Sequence, residues 1–136
     1  MNIETRIDGQ KGLRTIVLRG ESTLPDIQTF IKKLYRLGDF EPAYHALWDV
    51  REAIFPAVAP GEVKELACFL RGNWNEKQQR KTAVVVSGDF HFGLSRMLEQ
   101  FVGPHADGRF RTFRDFQAAV DWIEGKATVS PLPTSS

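Results

Sequence analysis

The chain has 136 residues, 42% of them apolar and 26% charged, and its 18 Lys and Arg nearly balance 17 Asp and Glu for a formal net charge of +1. That length suits one hydrophobic core, because two cores would each bury too little surface to offset chain entropy without disulfides or metals. The composition excludes fibrous and wholly disordered classes, and the balanced charge gives no global attraction to nucleic acid or anionic membranes. No stretch approaches the roughly 20 apolar residues of a membrane span, and the opening MNIETRIDGQ lacks the apolar run of a signal peptide, so a cytoplasmic location is expected. The single cysteine, Cys68, leaves no intramolecular disulfide and falls in a helical pattern that suits a small buried side chain.

Residues 2–8 and 13–19 read as two strands joined across Asp8-Gly9-Gln10-Lys11-Gly12, which predicts an antiparallel hairpin. Both faces of the second strand are partly apolar, so it should lie inside the sheet. Ser22 or Thr23 can cap a helix that carries Pro25 and Asp26 in its first turn, buries Ile27, Phe30, Ile31 and Leu34, and stops at Gly38. Residues 45–50, HALWDV, predict a third strand. After a break at 57–61 comes a helix over roughly 61–77 with a stripe of Val63, Leu66, Ala67, Leu70 and Trp74; its other face, with Glu62, Lys64, Glu65 and Arg71, should be solvated.

Thr82 to Val86 is a β-branched run expected at the centre of a parallel sheet. Leu94, Met97, Leu98 and Phe101 then recur at helical spacing until Gly103-Pro104, where the helix should stop. Residues 109–113 alternate as an exposed strand does, and Asp115 can cap a last helix that buries Phe116, Ala119, Val120 and Ile123 and closes at Gly125. The tail 126–136, KATVSPLPTSS, has little to bury and reads as disordered. The element order β-β-α-β-α-β-α-β-α thus predicts one α/β domain over residues 1–125, with a largely parallel five-stranded sheet and an antiparallel N-terminal edge strand.

Three stretches carry a resemblance: Leu47-Trp48-Asp49-Val50-Arg51 at a strand end, the run from Val84 to Met97 across a strand and a helix start, and the run from Phe113 to Trp122. With the hairpin, the chain over roughly residues 2–124 resembles the SpoIIAA-like superfamily, which includes STAS domains and, more distantly, lipid-carrying Sec14-like domains. It looks most like the uncharacterised bacterial STAS-like proteins. The resemblance implies a β/α superhelix with consecutive strands side by side and helices mainly on one face, without the switch-point crevice of doubly wound folds. Anti-sigma-factor antagonists of the superfamily are switched by phosphorylation of a serine where the helix after the central strand begins. Here the corresponding stretch, Asp49 to Pro60, contains no Ser, Thr or Tyr, so that switch cannot operate at this position.

Ser87, Gly88 and Asp89, followed by Gly93 and Arg96, lead from a strand into a helix N-terminus, where free amides can receive an anion. The plainer reading makes Ser87 or Asp89 an N-cap, Gly88 a turn residue and Gly93 a close-packing position. Asp49, Arg51 and Glu52 end a neighbouring strand, where Asp49 and Arg51 can fix the following loop by local hydrogen bonds. Asp49 and Asp89 could form a carboxylate pair, but nothing supplies the nucleophile or cofactor such a pair would serve. His45, His91 and His105 have no partner at metal-ligand spacing, and Ser87 and His91 lack the GxSxG elbow of a hydrolase.

The loop Ala53-Ile54-Phe55-Pro56-Ala57-Val58 either docks a partner or folds back onto the sheet, and Phe90 and Phe92 extend the same rim. The sequence therefore points to a non-enzymatic interaction module that needs no cofactor and binds a protein partner, a second copy of itself being one candidate. The alternative is a small-ligand or lipid binder in which Ile54, Phe55, Phe90 and Phe92 line a pocket and Arg96 meets a carboxylate or phosphate.

Overall fold

The computed structural model describes residues 2–37, 44–59, 61–72, 80–106 and 108–125. Its elements run β1 (Asn2–Asp8), β2 (Leu13–Glu21), α1 (Leu24–Leu37), β3 (His45–Ile54), α2 (Glu62–Gly72), β4 (Thr82–Val85), α3 (Asp89–Ala106), β5 (Phe110–Phe113) and α4 (Phe116–Glu124). The five strands lie in sequential order; β1 is antiparallel to β2 and every later pair is parallel. The expected architecture is therefore present. β4, expected at the centre, lies one strand from the edge, and β3 holds the middle.

Period-two alternation sends neighbouring side chains to opposite faces of the sheet. Leu13, Leu47, Ala83 and Val85 face α4 and form a core with Ala119 and Ile123. Leu18, Val50, Ala53 and Val86 face the other way and pack with Ile27 and Ile31 of α1, alongside Phe69 and Leu70 of α2 and Phe92 of α3. Three helices thus share one face and α4 covers the other. A smaller cluster of Ala67, Val102 and Phe110 joins α2 and α3 to β5.

The local signals at helix ends act as their chemistry dictates. Thr23 accepts the Asp26 amide through Oγ1 at 3.1 Å, Glu62 reaches back to the Ala59 amide at 3.2 Å, and Asp115 accepts from Ala118 at 3.3 Å. Gly125 closes α4 at a φ of 75°, the left-handed conformation that favours glycine. The expected stop at Gly38, the C-terminal part of α2 with Trp74, and the tail 126–136 lie outside the described residues.

Four expectations are corrected. The third strand runs to Ile54 rather than ending at Val50, so Arg51 to Ile54 are strand and not loop. α3 continues through Gly103-Pro104 to Ala106, because fully buried Val102 and its neighbours hold the last turn against the weak local propensity. On the same helix Met97 and Phe101 are exposed, at 46% and 38%, while Ser95 and Val102 are buried. Cys68 is exposed, since it falls off the Val63-Leu66-Ala67 stripe that meets the sheet.

β3 and β4 are also joined ahead of their ladder. The neutral His45 ring accepts the Lys81 backbone N–H through Nδ1 at 2.7 Å. Burial first, and the Lys81 charge second, hold the His45 pKa below the usual imidazole value. The unfolded chain therefore takes up a proton that the folded chain resists, and the stability contributed by neutral His45 is present above about pH 6.5 and lost as pH falls through the folded-state value. Urea unfolding followed from about pH 7.5 to about pH 5.5 should show stability declining with acidification, with a shallower decline in His45→Gln. An identical slope in the variant would assign the dependence to other groups.

Candidate functional site

The C-terminal ends of β3, β4 and β5 meet at one rim of the sheet, and the sequence-predicted residues gather there. β3 carries one more residue than β2 between paired positions: Val17 faces Asp49 and Arg19 faces Glu52. This bulge coincides with the end of the β3–β4 ladder, whose last pair is Asp49 and Val85. Backbone groups of β3 beyond that point need other partners. The Asp49 carboxylate accepts the Arg51 amide at 3.2 Å and grips the Arg51 guanidinium at 2.8 Å through each of its two oxygens. The Arg51 carbonyl accepts the Ser87 hydroxyl at 2.8 Å. Ser87 therefore does not cap α3; it ties the β4–α3 turn to β3.

Asp49 is only 8% exposed, and the Arg51 guanidinium holds its carboxyl below the usual carboxylate range, against the opposing effect of burial. Arg51 in turn lies over the Phe116 ring, 5.3 Å from its centroid. Asp89, fully in solvent at the first turn of α3, pairs with Arg114 at 2.9 Å, and Arg114 stacks on Phe92 at 4.2 Å. The two carboxylates thus sit in separate ion pairs rather than facing each other. Gly88 has a φ of 81°, which accounts for glycine in the turn. Gly93 has open space where a Cβ would stand, so it is not a close-packing position. Arg96 points outward, 3.9 Å from Glu99.

Along the apolar rim, Ile54 is 56% and Phe90 62% exposed. Phe55 folds back toward the core and meets the His91 ring edge-on, with centroids 5.3 Å apart. Within the 53–58 segment Ala53 and Phe55 thus fold back onto the sheet, as one of the two readings expected, while Ile54 faces out. Phe90, Met97 and Phe101 are spaced seven and four residues apart, so they line one solvent-facing side of α3 while Leu98 and Val102 serve the other.

Between the sheet and the three-helix layer lies a partly open cavity of about 150 Å³. Phe55 and His91 line it, whereas Ile54, Phe90, Phe92 and Arg96, expected around a pocket, do not. Its floor is set by register: the row Arg14, Ala46, Thr82, Phe110 crosses β2 to β5, followed by the row Ile16, Trp48, Val84 and then Val50 and Val86. No single segment of sequence signals the cavity, because its lining comes from four strands and three helices.

No family model matches the chain, and no curated protein matches it. Solved structures similar in fold include the following two. An uncharacterised protein of the DUF3478 family with a SpoIIAA-like fold, from Shewanella loihica PV-4, superposes with a TM-score of 0.54 at 16% identity, over 90% of this chain and 92% of that one. An anti-sigma factor antagonist from Mycobacterium paratuberculosis superposes with a TM-score of 0.51 at 18% identity, over 90% and 94%. With its sequential mixed sheet and its three-plus-one helices, the chain has a SpoIIAA-like fold.

Proposed function

We propose that this chain is a non-enzymatic STAS-like interaction module that docks a protein through the outward side of α3 and the end of β3. The observation that carries the reading is the stripe of Phe90, Met97 and Phe101, three large apolar side chains in solvent on one helix face, with Ile54 exposed at the neighbouring strand end. Scattered exposed apolar residues need no explanation, but a row at seven-then-four spacing matches the seam of a helix pair. Asp89 and Arg96 flank the stripe with opposite charges. An antiparallel second copy would meet each with its complement, which makes self-association the first partner to examine.

The polar rim supports a structural role rather than chemistry. Asp49, Arg51 and Ser87 are engaged with one another and with backbone, and Asp89 is held by Arg114. The similarity to an anti-sigma factor antagonist is consistent with a protein partner. The phosphorylation control of such proteins is not carried over, since Asp49 to Pro60 offers no hydroxyl.

Native mass spectrometry across a concentration series should show a dimer that dissociates on dilution. Phe90→Asp and Met97→Asp should each weaken it at least roughly tenfold with circular dichroism unchanged, because a charge would be buried in an apolar seam. A monomer at every concentration would remove the second copy as partner. Phe55 is a poor probe of the surface, since its ring belongs to the core.

The rim clip has its own test. Arg51→Gln should raise the Asp49 pKa toward the ordinary carboxylate value, read by carbon-detected NMR titration. The lowered native value contributes stability above about pH 4 that is lost as pH falls through it, so the variant should lose that extra margin at neutral pH and unfold at higher pH in acid. Dimer formation should be unaffected, and a loss of association would move Arg51 into the interface.

A further inference from the structure

We infer that the outer edge of β1 pairs with β1 of a second copy of the chain, antiparallel about a twofold axis at Thr5, so that two five-stranded sheets become one. This inference is independent of docking on α3, because β1 and β5 are the opposite edges of the sheet and α3 lies beside β5.

The two edges are finished differently. At β5 the Thr112 backbone N–H donates to the Glu99 carboxylate at 3.1 Å, and the Thr112 and Ser95 hydroxyls lie 2.7 Å apart, so α3 covers that edge. β1 is a seven-residue strand that pairs with β2 without a bulge, and among the described residues no strand pairs with its other side. Alternate N–H and C=O groups of β1 therefore face outward. Edges that stay alone are commonly short, bulged or guarded by Pro and Lys, and β1, with the sequence NIETRID, has none of these features.

The order of residues along β1 is self-complementary. With the axis at Thr5, Ile3 stands opposite Ile7, Glu4 opposite Arg6, Asn2 opposite Asp8, and Thr5 opposite its own copy. Residues that face each other in this register are an even number of places apart in the sequence. Outward-facing backbone thus meets outward-facing backbone, whichever alternate set points out, and about six to eight hydrogen bonds close. An axis between two residues would break that match. Moving the axis to Glu4 or Arg6 sets a charge against its own copy, and at Arg6 it also sets Glu4 against Asp8. Ile3 packs against the core while Ile7 is 57% exposed, and pairing lays Ile7 of each copy beside Ile3 of the other. Glu4, already bonded to Arg6 at 2.9 Å and to Arg19 at 3.1 Å on its own chain, gains a third cation. Exposed ion pairs add little affinity, so the charges set the register while the backbone and the isoleucines supply the binding. Seven residues a side make a small interface, which places the dissociation constant on the order of 100 µM.

Sedimentation equilibrium from about 10 µM to about 1 mM tests the pairing, with Phe90→Asp as the parent so that association through α3 is not read. The parent should associate reversibly. Adding Glu4→Arg or Arg6→Glu should each weaken association at least roughly tenfold, since like charges then face each other twice across the axis. An equimolar mixture of the two should recover the parent's affinity, because every Arg then faces a Glu. A parent that stays monomeric, charge variants that associate as the parent does, or a mixture no tighter than its components would each overturn the proposal. Equal association of the wild type and Phe90→Asp would count against the α3 seam alone and leave this test intact. Should either charge variant lose its fold by circular dichroism, oxidative cross-linking in a Cys68→Ser chain decides. Thr5→Cys should form a disulfide dimer, and Ile7→Cys, whose two copies stand about 14 Å apart in this register, should not. No dimer from Thr5→Cys, or equal yields from both, refutes the pairing.

Discussion

The bulge in β3 is the constraint on which the packing of the sheet against its helices depends. Before it, Ala46, Trp48 and Val50 face the three-helix layer and Leu47 and Asp49 face α4; after it, Ala53 faces the three helices, although strict alternation from Val50 would send it to the other side. One extra residue thus lets β3 stay paired with β2 to Ile54 while keeping its apolar side chains in phase with the helices. The extra residue leaves backbone groups without a ladder. The carboxylate of Asp49 takes the Arg51 amide and the hydroxyl of Ser87 takes the Arg51 carbonyl. Two motifs 36 residues apart, one at the end of β3 and one after β4, are therefore a single device for closing the sheet where its strands diverge.

That arrangement explains why the fold was legible in the sequence while parts of the site were not. Turns, caps and periodic apolar residues are local signals, and Thr23, Asp115 and Gly125 perform the roles their chemistry suggests. The β3 bulge is a tertiary solution that interrupts period two, so the regular pattern stops near Val50 although β3 runs on to Ile54 and Glu52 is again paired with Arg19. α3 presents a different ambiguity. Leu94, Met97, Leu98 and Phe101 all fall at helical spacing, and a helix apolar on more than one side does not announce which side meets the sheet. The position of β5 and α2 decides it, drawing in Leu98 and Val102 and leaving Met97 and Phe101 outside. The burial of Arg14 and Arg80 was illegible for a related reason: a charged residue, whether in a strand like Arg14 or just ahead of one like Arg80, reads as solvent-facing until the tertiary fold covers it.

The two faces of the sheet solve packing differently. α4 lies against small, fully buried residues, with Ala83 and Ala119 both at 0% exposure, and the contact is close. The opposite face must accommodate three helices that also touch one another, and large side chains such as Trp48, Phe55 and Phe69 fill it incompletely. Sequential strand order removes the crevice that a reversal of strand order would supply. What the architecture offers instead is the outer surface of the helices and the space beneath them.

Those two places are physically joined at the first turn of α3. His91 and Leu94 look into the cavity, while Phe90 and Met97 look out, on a helix whose start is tied to β5 by the Asp89–Arg114 pair. The Phe55–His91 contact connects the same turn to the end of β3. The first turn of α3 is therefore fixed from two sides of the rim, by Arg114 just after β5 and by Phe55 just after β3, so the exposed Phe90 is presented from a braced rather than a free helix start.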